Sequence, residues 1–243
     1  MCGRYAITTP PQAMRDLFAY MELPNFPPRY NVAPTQPVPI VRMESGKRQF
    51  ALVRWGLIPS WAKEMPQSLL INARADTIAE KPSFRGAFRH RRALTPADGF
   101  YEWKEIRRGL KQPYLIRRRD RAPFAMAAIW DNWMSADGSE IETCAVVTTD
   151  ANATLTPIHH RMPVIIDPED FDLWLDPATP LKELERLMVP APDDLLEAIP
   201  VSASVNRVSN DDPSLIDPAL VTVAAPEPRK KSKTLDDRQS DLF

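Results

Sequence analysis

Twenty-six prolines against seven glycines constrain this 243-residue chain more than any other feature. Proline lacks a backbone N–H and its ring clashes with the preceding helical turn, so it is excluded from helix interiors and from the middle of ladders. Long helices are therefore ruled out, and short strands joined by rigid connectors are expected. Segments 37–43, 49–55, 91–95, 99–104, 113–118, 123–130, 141–148 and 163–166 are short, rich in β-branched or aromatic residues and bounded by turn formers, which reads as strands. Residues 3–8 (GRYAIT) read as a strand beginning almost at the first residue. A helix is expected over 11–21, with Pro10 and Pro11 at its start where a missing N–H costs nothing, and shorter helices near 75–80, 168–175, 180–188 and 193–198. The expected class is a β-rich α+β fold without internal repeats, forming one domain over 1–223. Residues 224–243 (AAPEPRKKSKTLDDRQSDLF) are too polar to bury a core and read as a disordered tail.

Composition narrows the function classes. Hydrophobic and charged fractions of 44% and 26% are ordinary for a globular protein. A net charge of -1 announces no bulk attraction to nucleic acid, so any such binding must come from local patches. The candidates are the runs Arg89–Arg92 and Arg117–Arg121, although charge runs are more often solvated faces. Two cysteines make no disulfide framework and suit a reducing compartment. No apolar stretch reaches the ~18 residues of a membrane span, and no secretory signal is visible. A cytoplasmic monomer is expected.

Cys2 stands out by position. Removal of Met1 would leave an α-amine and a thiol on adjacent carbons, with reference pKa values near ~7.7–8.0 and ~8.5, so both have nucleophilic forms near neutrality. An aldehyde meeting this pair forms an imine with the amine, and the thiol then closes a five-membered thiazolidine, a ring closure favoured by proximity. Position alone equally fits an inert second residue in a frayed terminus. Cys144, within an apolar strand, reads as a buried inert thiol.

Short polar clusters interrupt otherwise apolar surroundings further along the chain. With the terminus they form six ordered blocks: MCGRYA at 1–6, RYNVAPTQ at 29–36, RWGLIPSW at 54–61, INARADT at 71–77, PADGFYEWK at 96–104 and IHHRMPVII at 158–166. Together these closely resemble the SOS-response-associated peptidase (SRAP) family, and the resemblance runs from residue 1 to about 217. It implies a domain of mixed and antiparallel sheets around a barrel-like core with short peripheral helices. It also implies an abasic-site sensor that crosslinks covalently to single-stranded DNA and shields the lesion during replication. No cofactor or metal is implied. The resemblance leaves open whether Met1 removes itself and whether strand-cleaving lyase activity accompanies the link.

Roles follow residue by residue from that resemblance. Cys2 would bond to the ring-opened deoxyribose, and Asn72 would hold the terminal amine and the sugar. Glu102 would be the general acid/base near the amine. His159 would donate to the ring oxygen, with His160 in the variable slot of the His-x-Arg-Met-Pro pattern. Carboxylate and imidazole suit the proton transfers of imine formation. Each residue also has an ordinary reading: Asn72 as a helix cap near 75, Glu102 as the solvent-facing member of an alternating strand, His159 as a satisfied loop histidine. Arg4, Arg74 and Arg161 are candidates for phosphate contact, and Trp61 for stacking on an exposed base. Two positions depart from many relatives: Ala93, where a cysteine is common, and Ala62, where a second tryptophan can extend the stacking surface.

The last five residues resemble the short peptide with which bacterial repair proteins dock on the replication sliding clamp, through Gln239, Leu242 and Phe243. Two other classes remain open. Cys with His and Asn or Glu is also a thiol-peptidase set, and a non-covalent single-strand-binding module would need none of this chemistry.

Overall fold

The computed structural model describes residues 2–68 and 70–221. Gln239, Leu242 and Phe243, with the whole of the expected tail, lie outside the described residues. The strands are β1 (Tyr5–Ile7), β2 (Arg29–Val32), β3 (Pro37–Glu44), β4 (Lys47–Trp55), β5 (Asn72–Arg74), β6 (Arg92–Ala97), β7 (Gly99–Arg107), β8 (Leu110–Arg118), β9 (Phe124–Met134), β10 (Glu140–Asp150), β11 (Arg161–Pro163), β12 (Ile165–Ile166) and β13 (Leu196–Pro200). Four short helices accompany them: α1 (Pro11–Phe18), α2 (Arg85–His90), α3 (Phe171–Leu175) and α4 (Leu181–Glu185).

Two sheets form. In the first the order is β13-β8-β7-β1-β2, antiparallel throughout. In the second, β10 pairs antiparallel with β9 and parallel with β4, which closes β4, β3, β6, β9 and β10 into a mixed five-stranded barrel. The chain passes between the sheets at Asp98, the residue between β6 and β7. Its carboxylate accepts the backbone N–H groups of Thr8 (2.5 Å) and Thr9 (2.9 Å) and the Thr9 hydroxyl. One buried apolar cluster runs through both sheets, from Cys2 to Leu196.

The prolines sit where the ladder opens. The β3–β6 pairing is confined to Val41–Leu94 and Arg42–Ala93. Pro39 and Pro96 lie beyond it, where a missing N–H leaves no ladder bond unmade. Residues of α1 and its flanks fill that gap: Met14, Phe18 and Tyr20 are buried, and Phe18 stacks on Phe171 with centroids 5.2 Å apart.

Several expectations needed correction, and tertiary pairing is the cause in most. The helix expected over 11–21 stops at Phe18, because Ala19 turns left-handed (φ 56°) to bring Tyr20 against Phe50. Residues 75–80 are turns, since the preceding Asn72–Arg74 pairs along β10 and the Ala75 N–H extends that pairing to the Thr148 carbonyl. The helix comes later, as α2. The helix expected at 193–198 is instead β13, recruited by the open edge of β8. The basic runs are largely engaged within the protein. Arg92 is 3% exposed and donates to the carbonyls of Trp174, Phe88, Arg89 and Asp176, and burial pushes its guanidinium down to about 10. Arg117 pairs with Glu197 and Arg118 with Asp120. Among the described residues no helix is long and apolar enough to cross a membrane.

Gly99, at the start of β7, is a point of close approach. A Cβ there would stand 2.8 Å from Leu115 Cδ1 and 2.9 Å from the Ile116 carbonyl oxygen, inside normal contact. Gly99→Ala should therefore cost about 1–3 kcal/mol through forced backbone displacement. Gly86→Ala in α2, with nothing within 4 Å of the added carbon, should be neutral or stabilising by about 0.5–1 kcal/mol. Thermal melts of the two variants test this; equal melting temperatures would contradict the packing described.

Candidate active site around Cys2

Strand β1 lies inside the first sheet, between β2 and β7, so the start of the chain is fixed rather than frayed. Cys2 is wholly buried. Its sulfur lies 3.9 Å from the Arg4 carbonyl, a weak S–H donation. Burial pushes the thiol well above its ordinary range, and the negative charge of Glu102 pushes it further. The Cys2 carbonyl accepts the side-chain amide of Asn72 at 2.9 Å, while Asn72 Oδ1 is buried without a partner. Asn72 does not cap a helix. It opens β5, aligned with Val146 of β10. The strand is fixed just ahead of it, where the Trp55 indole N–H donates to the Ile71 carbonyl at 2.9 Å. Trp55 packs edge-on against Tyr5, centroids 5.5 Å apart.

Glu102 comes from β7. The register pairs Phe100 with Tyr5, and the Tyr101 N–H donates to Arg4, so Glu102 runs alongside the residues just ahead of Arg4. It is 3% exposed, not the solvent-facing member of its strand. Burial raises its carboxyl, against the pull of the amino-terminal charge, the Trp103 backbone and Lys111.

His159 follows β10 in the connection to β11. Its Nδ1 accepts the Arg161 backbone N–H at 3.0 Å and also lies 3.2 Å from the Arg161 carbonyl. In the neutral ring the first contact puts the proton on Nε2; once the ring is charged, the second offers Nδ1–H an acceptor. Burial lowers its proton affinity first, followed by the amino-terminal charge; His160 and Lys111 act in the same direction, and the Arg161 backbone opposes them. The Glu102 charge acts on the Cys2 thiol and the Asn72 amide holds the Cys2 carbonyl, which brings residues from three distant blocks together.

The residues expected to contact DNA divide by exposure. Trp61 is 64% exposed, its indole N–H 3.3 Å from the Pro82 carbonyl. Arg74 is exposed and paired with Asp76. Arg161 is buried, its guanidinium donating to Asp150 (3.0 Å) and to the Thr148 carbonyl (2.6 Å). Arg4 is partly buried and donates to Asn31 Oδ1 (2.7 Å) and the Val205 carbonyl (2.8 Å).

That last network was assigned no role from sequence. Asn31 is fully buried, and its amide donates to the carbonyls of Val205, Arg207 and Asn210. Asp211 caps the same region by accepting the N–H groups of Tyr30 and Asn31. A polar residue inside the NVAP block was the only available signal, because its partners lie some 175 positions away. Among the described residues no three His, Cys, Asp or Glu side chains converge to hold a metal ion.

Comparison with known proteins finds relatives along most of the chain. The family described as SOS response associated peptidase (SRAP) matches residues 1–208. The chain is 36% identical over 222 residues to "Abasic site processing protein YoqW" of Bacillus subtilis, covering 89% of this chain and 99% of that protein. It is 34% identical over 229 residues to "Abasic site processing protein YedK" of Escherichia coli, covering 90% and 100%. An X-ray structure of a protein from Bacteroides thetaiotaomicron superposes with a TM-score of 0.82 at 29% identity, covering 90% of this chain and all of that one.

If the Glu102 charge holds the Cys2 proton in place, neutralising it should release thiolate. Glu102→Gln should lower the pH midpoint for alkylation of Cys2 by iodoacetamide and speed the reaction about 3–10-fold at fixed alkaline pH, the effect of up to about one unit. Cys144, equally buried, serves as the internal control by peptide mass spectrometry. An unchanged midpoint for Cys2 would rule out the electrostatic link.

Proposed function

Because the chain belongs to the SOS response associated peptidase family, we propose that it is an abasic-site processing enzyme whose mature N-terminus, Cys2, bonds covalently to the exposed deoxyribose aldehyde in single-stranded DNA. The observation that carries this reading is a wholly buried Cys2 thiol that feels the charge of the buried Glu102 carboxylate, with the Cys2 carbonyl held by the Asn72 amide at 2.9 Å. While Met1 is attached, the Cys2 nitrogen is an amide and cannot form an imine. Removal of Met1 is therefore the activating step.

The chemistry balances with these groups alone. Glu102 takes a proton from the Cys2 ammonium and later returns it to the hydroxyl that leaves as water, while His159 gives a proton to the ring oxygen as the sugar opens and regains one from the C1′ hydroxyl. The amine adds to the C1′ aldehyde, and the resulting carbinolamine loses water to give an imine. The Cys2 sulfur then bonds to that same carbon, its proton passes to the nitrogen, and the product is a thiazolidine plus one water. A high thiol pKa suits this order, since the sulfur is kept protonated until the amine has reacted. Asn72 holds the Cys2 carbonyl at 2.9 Å, and its unpartnered Oδ1 is available to the incoming sugar. Arg74 and Trp61, both exposed, are the proposed contacts for backbone and base. Arg4 and Arg161 would act from partly or fully buried positions.

The thiol-peptidase reading is less well supported. A nucleophilic cysteine of that type is activated by a depressed pKa, whereas burial and Glu102 push Cys2 the other way.

Incubating tag-free protein with a single-stranded oligonucleotide carrying one abasic site should give a denaturation-resistant complex. Cys2→Ala, or any N-terminal extension, should abolish it, and intact mass should show a chain beginning at Cys2. His159→Ala should slow formation by ~10²-fold, the usual scale for a lost acid or base. A full-yield adduct from the extended protein would sink the mechanism. An abasic site inside intact duplex should react more slowly than one in a single strand, and equal rates would remove the single-strand preference.

A further inference from the structure

The sequence gives His160 no role, as the occupant of a variable slot. The structure places it against the proposed proton donor. The two imidazole rings are stacked, centroids 4.4 Å apart and planes inclined by 23°. His160 is exposed, whereas His159 is half-buried. Neither ring hangs from a loose backbone. The His160 carbonyl accepts the Ala151 N–H at 3.0 Å, the His159 N–H donates to the Leu155 carbonyl at 2.9 Å, and Arg161 is tied to Asp150 and Thr148. His159 Nδ1 is held by the Arg161 backbone, and the stacked ring of His160 adds a contact across the face of the His159 plane.

We propose that His160 is a positioning residue that sets the ring plane of His159 and, through its own charge, the pH at which His159 exchanges its proton. Two stacked imidazoles cannot both be charged without repulsion, so a proton on His160 disfavours a second on His159. The other cationic influences on His159 are Lys111 from β8 and the amino-terminal charge, and the Arg161 backbone opposes them. His160 is the member of this set in ring contact with it. The direction is consistent: His159 has a lowered affinity for its proton, with burial the largest cause and His160 a contributor. Removing the His160 charge must raise the His159 midpoint. In functional terms, which rest on the proton-donor role given to His159 above, His160 makes His159 a stronger acid that is loaded at lower pH.

The test uses the full chain and two variants. His160→Phe keeps an aromatic face but carries no charge; His160→Ala removes both. The protein has only three histidines, so ring NMR titration resolves each midpoint in the free protein, without DNA. Both variants should raise the His159 midpoint relative to wild type. Adduct formation with a single-stranded abasic oligonucleotide should show its pH profile displaced upward by the same amount. The maximal rate should survive in His160→Phe and fall several-fold in His160→Ala, where the ring plane is released. An unmoved His159 midpoint in both variants would overturn the proposal. A midpoint that moves only in His160→Ala would overturn its electrostatic part. Failure of the wild-type protein to form any adduct would count against the proposed function, while the titration would still decide the role of His160.

Discussion

Strand β10 is the element on which both the barrel and the site depend. Its first half lies between β4 and β9 and closes the barrel through one parallel and one antiparallel ladder. Its second half carries β5 along Val146–Thr148 and β11 along Thr148–Asp150, the two pairings meeting at Thr148. The strand that closes the core thus also fixes Asn72 and the residues that follow His159. A short strand such as Asn72–Arg74 has little stability alone, and pairing with a buried strand supplies the order it lacks. Displacing β10 by one residue would turn Val146 and Thr148 to the opposite face and separate Asn72 from the Cys2 carbonyl.

Burial controls the chemistry of the site as much as its geometry does. Taking thiol, carboxylate and imidazole out of water disfavours the charged form of each, so Cys2 and Glu102 move up and His159 moves down. The amino-terminal charge partly reverses this for the thiol and carboxylate and reinforces it for the imidazole. A site of this kind rearranges its protons when a partner arrives. It does not hold a preformed thiolate. Interactions among such groups are strengthened by the low local dielectric, so modest changes in one charge are felt by the others.

A second polar network, remote from the chemistry in sequence, holds the N-terminal strand. Arg4, Asn31 and Asp211 link β1 and β2 to the segment around Val205–Asn210, and the Trp103 indole N–H adds a bond to Asn206 Oδ1 at 2.7 Å. Each such bond contributes about 0.5–1.5 kcal/mol net, but an abandoned buried partner costs more than the bond was worth. Arg4 is therefore committed both to this strap and to the neighbourhood of Cys2. Any phosphate contact it makes must be shared with Asn31.

Proline abundance favoured short elements over long helices, and the segments at 99–104, 113–118, 123–130 and 141–148, rich in β-branched or aromatic residues and bounded by turn formers, identified β7 to β10, because such side chains suit a pleated backbone. The six blocks identified Cys2, Asn72, Glu102 and His159 as candidates, and those residue types define the chemistry they can perform. The sequence could not decide whether Asn72 caps a helix or turns to the N-terminus, because both suit an asparagine, and pairing along β10 placed it against the Cys2 carbonyl. It misread 193–198 for the same reason: the edge of β8 outweighed local propensity. Arg92 looked like surface charge, yet two carbonyls of α2 just ahead of it and those of the distant Trp174 and Asp176 surround it. The ring contact of His160 with His159 was likewise invisible, since adjacency in a chain says nothing about whether two side chains face each other. Residue identity determined what each group can do; long-range pairing, which brings carbonyls, edges and rings together across more than a hundred positions, decided which of those capacities the fold uses.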